Sequence, residues 1–178
     1  MDERVLWQLS YGLYIIGVND NDRPTGCIVN TVFQITSVNP VVALSMNREN
    51  YSYEVMKKTG RFSVSILTEN TPPAVISQLG FSSGRSRDKF AKLRYETLQG
   101  LPVVKENCSG FLLCDILGYQ QVETHDIVLA RVADAVADVA APPMTYKYYH
   151  EVIKGKAPKT APTYRAETKP AVNTPSAP

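Results

Sequence analysis

Hydroxyls, amides and one thiol interrupt apolar, β-type text in two neighbouring stretches of this sequence. Residues 24–48 run Pro-Thr-Gly-Cys-Ile-Val-Asn-Thr-Val-Phe-Gln-Ile-Thr-Ser-Val-Asn-Pro-Val-Val-Ala-Leu-Ser-Met-Asn-Arg. Gly26, Cys27, Asn30, Thr31, Gln34, Ser45 and Asn47 sit there among Val, Ile, Phe and Leu. A polar group inside a strand must be hydrogen-bonded to something, and small side chains let that partner come close to the backbone. The pattern points to a bound, flat, polar-edged ligand. Polar positions facing water at a sheet edge would explain one such strand. Recurrence in the next one, at Ser45 and Asn47, favours a site.

The segment Ser45-Met-Asn-Arg-Glu-Asn-Tyr-Ser52 ends a strand and opens a helix, where free N–H groups and the positive dipole end suit an anion. Arg48 and the hydroxyl and amide side chains would complete a phosphate cradle without a glycine-rich loop. Gly80-Phe-Ser-Ser-Gly-Arg lacks the Lys-Ser/Thr pair of a P-loop. His125, in Thr-His-Asp-Ile-Val, is either a ligand for a carbonyl or phosphate or an exposed turn residue. Nothing close in sequence would activate Cys27 as a nucleophile, so it reads as a small soft contact. Tyr146, Tyr148 and Tyr149 suit stacking on a planar ring, a subunit interface or simple core packing.

Positioning these groups requires a mostly β framework. Strands are predicted near 11–18, 26–35, 41–47, 61–67, 109–117, 120–124 and 126–139. Helices are predicted at 2–9, at 49–58 with Asn50 or Ser52 as N-cap and Gly60 as stop, and at 73–79. Six or seven short strands, mostly in hairpin order, fit a mainly β (α+β) closed or split antiparallel barrel with small flanking helices, not a doubly wound sheet. Residues 1–154 form the predicted domain. Pro and Ala dominate 155–178, which is expected to be an extended or disordered tail resembling a linker.

At 178 residues and 44% hydrophobic, the chain is one domain with enough apolar matter for a core. Net charge is +2, and the only acid near Lys154, Lys156, Lys159, Arg165 and Lys169 is Glu167, so the body is slightly acidic. No nucleic-acid face is indicated. Three cysteines without a C-x-x-C and two distant histidines argue against a disulfide framework or a metal site. The Met-Asp-Glu-Arg start is unlike a signal peptide, no apolar run reaches membrane-spanning length, and a cytoplasmic location is expected.

Leu9-Ser-Tyr-Gly-Leu-Tyr-Ile-Ile, Gly26-Cys-Ile-Val-Asn-Thr-Val-Phe-Gln-Ile-Thr-Ser, Asp88-Lys-Phe-Ala and the run from Tyr148 to Tyr164 together resemble flavin reductase-like proteins, in particular the flavin domain of high-molecular-weight rubredoxins. The resemblance spans roughly residues 1–165. It implies a split β-barrel that binds FMN at a homodimer interface and passes electrons from NADH or NADPH through the flavin to an acceptor. Gly26, Cys27, Asn30 and Thr31 would lie along the isoalloxazine ring. Ser45, Met46, Asn47, Asn50 and Ser52 would surround the ribityl chain and phosphate, with Arg87 and Lys89 closing over it. His125 matches the family histidine on the nicotinamide side. A fused rubredoxin needs two C-x-x-C pairs for its iron, and this sequence has none. The expected acceptor is therefore a separate redox protein, such as a rubredoxin, or a small molecule. The alternative is a non-catalytic flavin- or haem-binding module on the same barrel.

Overall fold

Runs of β-branched and aromatic residues broken by Asn, Asp and Gly turns make most of this chain strand. The computed structural model describes residues 1–138 and 141–164. β1 (Tyr14–Asp20) turns through Asn21 and Asp22, both at positive φ, into β2 (Arg23–Val29). β3 (Val32–Thr36) and β4 (Val41–Asn47) precede helix α1 (Tyr51–Thr59) and β5 (Arg61–Leu67). Helix α2 (Pro73–Gly80), the small hairpin β6 (Glu96–Leu98) and β7 (Leu101–Val103), the long β8 (Cys108–Val122) and β9 (His125–Ala137), and helix α3 (Tyr146–Glu151) follow. A 3₁₀ turn occupies Glu3–Gln8.

Seven strands form one sheet in the order β2-β1-β5-β8-β9-β4-β3, every neighbouring pair antiparallel. β2 and β3 thus stand at opposite ends of that order. They are also joined directly, with only Asn30 and Thr31 between Val29 and Val32. Laid flat, seven strands about 4.8 Å apart would separate these edges by about 29 Å, whereas three residue steps reach about 11 Å at most. The sheet must therefore curl until its two edges meet. It is a barrel with a seam between β2 and β3, and no ladder between those strands occurs among the described residues.

Alternation along β1 shows the two sides of the wall. Ile16 and Val18 enter the barrel core with Leu44 and Met46 of β4, Phe62 and Val64 of β5, Val128 and Ala130 of β9, and Val55 and Met56 of α1. Ile15 and Leu13 face the other way and pack with Ile76 and Leu79 of α2, Phe90, Met144 and Tyr149. Each such side chain contributes about 1.5–3 kcal/mol when fully buried, so both layers hold the wall in place.

The elements differ from the sequence expectation in five places. The predicted strand 26–35 is two strands, because at Asn30 and Thr31 the chain leaves one edge of the sheet for the other. The predicted strands 109–117 and 120–124 are the single β8, with a register irregularity between Ile116 and Gly118. The predicted helix 2–9 is 3₁₀, and the β6–β7 hairpin and α3 have no predicted counterpart. Gly155–Tyr164 carries no helix or strand, and residues 165–178 of the predicted tail lie outside the described residues. None of the described helices is long and apolar enough to cross a membrane.

Helix α1 is bounded as its sequence requires. Asn50 Oδ1 accepts from Ser52 N at 2.9 Å at one end, and Gly60, at φ 71°, donates its N–H to Met56 O at the other. A Cβ at Gly60 would meet nothing within 4 Å, so its cost is conformational alone. Gly60→Ala is therefore expected to lower stability by about 1–2 kcal/mol, seen as a reduced urea midpoint with an unchanged slope.

Candidate functional site

The C-terminal ends of β2 and β4 lie close to the seam, and the polar residues singled out by sequence gather there. A cavity of about 1030 Å³ opens beside them, at the upper end of the range of about 300–1,000 Å³ usual for small-molecule sites. Its floor comes from Cys27 to Asn30 of β2 and its crossover, and from Ser45, Met46 and Asn47 of β4. Glu49, Asn50 and Tyr51 supply the start of α1. Gly80 at the end of α2 and the following loop to Gly84, together with Lys89, form one wall. Tyr146, Tyr149 and His150 of α3 form another, and Gly155–Tyr164 lies along the remaining side.

Two asparagines shape the polar end. Asn47 Oδ1 accepts from Glu49 N at 2.9 Å, and Asn50 Oδ1 from Ser52 N at 2.9 Å. Both amides thus cap the turn into α1, and that leaves their Nδ2 groups for other work. Asn47 Nδ2 donates to Thr160 O at 3.4 Å. Just behind this corner Tyr53 donates to the buried carboxylate of Asp126, which fastens α1 to the start of β9.

Lys89 is the electrostatic anomaly. It is 4% exposed, and among the described residues no carboxylate is within ion-pair distance of it. Asp88, its neighbour, spends Oδ1 on the N–H groups of Phe90 and Ala91. Burial pushes the Lys89 ammonium below the ordinary lysine value, and the Cys27 thiol nearby pulls it partly back up. Burial likewise raises the Cys27 thiol, against the opposing influence of Lys89 and of hydrogen bonds from Ser52 and Asn50. Cys27 is therefore a neutral thiol at pH 7, unsuited to nucleophilic attack. A buried cation without a matching acid, lining a cavity, is an arrangement that an anionic ligand would complete.

Of the sequence-predicted site residues, Cys27, Asn30, Ser45, Met46, Asn47, Asn50 and Lys89 line this cavity. Five others do not. Gly26 allows β1 and β2 to close up, since a Cβ there would fall 2.3 Å from Ile16 O and 3.1 Å from the Phe90 ring. Thr31 extends the β3–β4 pairing into the crossover: its hydroxyl accepts from Ser45 N and donates to Ser45 O, each at 3.3 Å. Ser52 is buried behind the lining, next to Cys27. Arg87 is exposed and donates its backbone N–H to Ser83 O at 3.2 Å. His125 opens β9 opposite Asn47, with Nδ1 2.9 Å from Thr124 Oγ1 and a buried Nε2 that has no hydrogen-bond partner.

The site residues named from the sequence include none from α3, from Ser82 and Ser83, or from Gly155–Tyr164, although the Tyr-rich run 146–149, the Gly80-Phe-Ser-Ser-Gly-Arg loop and the motif from Tyr148 to Tyr164 each carried a signal. Tyr146 and His150 meet edge-on at 4.3 Å between ring centroids, and Tyr146 stacks on Tyr149 at 6.4 Å.

Residues 6–155 match the model of the flavin reductase-like domain. The chain belongs to the flavin reductase-like domain family. It is 41% identical over 165 residues to a high molecular weight rubredoxin of Moorella thermoacetica, covering 92% of this chain and 72% of that protein. It is 35% identical over 165 residues to a ferric-chelate reductase (NAD(P)H) of Archaeoglobus fulgidus, covering 92% of this chain and 98% of that one. The structure of an NADH:FAD oxidoreductase from Streptomyces globisporus superposes with a TM-score of 0.73 at 19% identity, covering 80% of this chain and 84% of the other. That last likeness supports the split-barrel architecture of this flavin reductase-like chain.

The unpaired Lys89 yields a test of the site that needs no ligand. Between its lowered value in the fold and the ordinary lysine value of 10.5, the unfolded chain holds a proton that the folded one has released. The contribution of Lys89 to stability therefore rises with pH through that window, while the buried thiols of Cys27, Cys108 and Cys114, held above the ordinary thiol value, act in the opposite sense at its alkaline end. Lys89→Met is expected to raise the melting temperature at pH 7, and its gain over the wild type is expected to shrink as pH rises through the window, as measured by calorimetry.

Proposed function

We propose that this chain binds FMN in the cavity beside the seam and uses it to pass electrons from NADH or NADPH to a separate acceptor. The observation that carries the reading is Lys89, a buried cation with no acid partner, set in a cavity edged by amides and hydroxyls. A flavin mononucleotide has the matching parts: a dianionic phosphate, a hydroxylated chain and a flat ring with polar edges. When bound, the flavin supplies the hydride and electron transfer itself. The protein is left to hold it, orient it and exclude water.

Lys89 and the Asn50-capped start of α1 would take the phosphate, by opposite charge and by the helix dipole. Ser45, Asn47 and Ser82 would serve the hydroxylated chain. Cys27 and Asn30 would meet the ring, the thiol as a soft neutral contact and the amide as a hydrogen-bonding edge. His125, the register partner of Asn47, is assigned to the nicotinamide side. The names of the two curated relatives, a rubredoxin and a ferric-chelate reductase, support an acceptor that is either a small redox protein or a metal chelate. Exposed Phe33, Ile35 and Val38, on and just beyond β3, support a homodimer, and sedimentation equilibrium showing only monomer at micromolar concentration would count against it.

Purified protein is expected to take up FMN with the perturbed visible spectrum of a bound flavin, and NADH or NADPH is expected to bleach that spectrum under anaerobic conditions. Uptake without bleaching by either nucleotide would make this a binding module instead. Lys89→Met is expected to weaken FMN binding by about ten- to a hundredfold, as measured by fluorescence titration.

A further inference from the structure

We propose that Gly155–Tyr164 is a strap that retains the flavin, making it a resident group of this protein and not a substrate that exchanges at each turnover. The inference rests on FMN occupying the cavity, as argued above. All ten residues of this segment line the cavity, which is more than any helix or strand contributes. They lie between α3 on one side and the ends of β2 and β4 on the other.

The segment is fastened at both ends. On the α3 side, Gly155 N donates to Tyr149 O at 2.9 Å and Tyr149 Oη donates to Lys156 O at 3.1 Å. His150 Nδ1 lies 2.8 Å from Gly155 O. On the barrel side, Asn47 Nδ2 donates to Thr160 O at 3.4 Å, and Thr163 Oγ1 accepts from Asn30 Nδ2 at 2.8 Å. The same Thr163 hydroxyl donates to Tyr146 Oη at 3.0 Å, so a single side chain joins β2, the strap and α3. Two turns, closed by Ala161 N to Pro158 O and Tyr164 N to Ala161 O, stiffen the span between these anchors. Pro158 and Pro162 fix two of its φ angles, so holding this shape costs little ordering entropy.

Thr163 also sets the direction of Asn30. With one Nδ2 hydrogen spent on Thr163, the amide has Oδ1 and its second N–H to offer a ligand in the cavity. Asn30 and Asn47 thus serve the ligand and the strap together. A ligand held by them leaves on that side only after the strap has let go.

Two substitutions outside the proposed flavin contacts test this. Gly155→Ala places a Cβ 2.1 Å from Tyr149 Cζ and forces the strap off α3. Thr163→Val removes both hydrogen bonds at nearly constant volume. Thermal melts of the flavin-free proteins check that each variant is folded. Flavin-loaded protein is rapidly diluted and the growth of free-FMN fluorescence is followed. Release from either folded variant is expected to be at least about tenfold faster than from the wild type, the loss of one to two hydrogen bonds. In the wild type, FMN is expected to slow tryptic cleavage after Lys156 and Lys159. Equal release rates in wild type and variants, or cleavage indifferent to FMN, would overturn the strap while leaving FMN binding intact. No uptake of FMN by the wild type would overturn the functional reading and the strap with it.

Discussion

A two-residue crossover between the opposite edges of a seven-stranded sheet is the constraint from which this architecture follows. Asn30 and Thr31 are too few to bridge a flat sheet, so the sheet closes, and the closure brings the ends of β2 and β4 together. Thr31 then ties the crossover to β4 by exchanging hydrogen bonds with both backbone groups of Ser45. The crossover also explains why polar residues crowd into otherwise apolar strands. A seam has backbone groups without ladder partners, and these must be satisfied by side chains or by a ligand.

Polar residues near the seam therefore divide into two kinds. Thr31 and Gly26 serve the barrel itself, one by tying the crossover to β4 and the other by letting β1 and β2 approach. Asn30, Asn47, Asn50 and Lys89 face the cavity, and three of these are committed on one side while open on the other. Lys89 alone is committed to nothing of opposite charge. That imbalance lowers the stability of the ligand-free fold and raises the affinity for an anion, since both follow from one desolvated ammonium.

Local signals made much of this legible in the sequence. β5 and α1 are plain because their caps, apolar periods and lengths agree with one another. The seam is not, because alternation continues in composition through Asn30 and Thr31 although the chain has crossed from one sheet edge to the other. β8 was divided at Gly118, where an irregularity in register bends a continuous strand. α3 is six residues long, too short for a helical period to register. Gly155–Tyr164 has the Pro and Ala content of an unpacked linker, and its attachment depends on a few hydrogen bonds that composition does not show. The candidate site was legible as a region for a similar reason. Residue type reveals a need for partners but not whether the partner is backbone or ligand.

The cavity draws its walls from Leu13 at one extreme to Tyr164 at the other. A chain emerging from the ribosome makes β1, β2, β3 and β4 early, yet β4 has no neighbour on its far side until β9 has been synthesised. The last wall appears only after α3 has emerged. A nascent chain can therefore gather the barrel in stages, but the cavity is walled on every side only once residue 164 has left the ribosome.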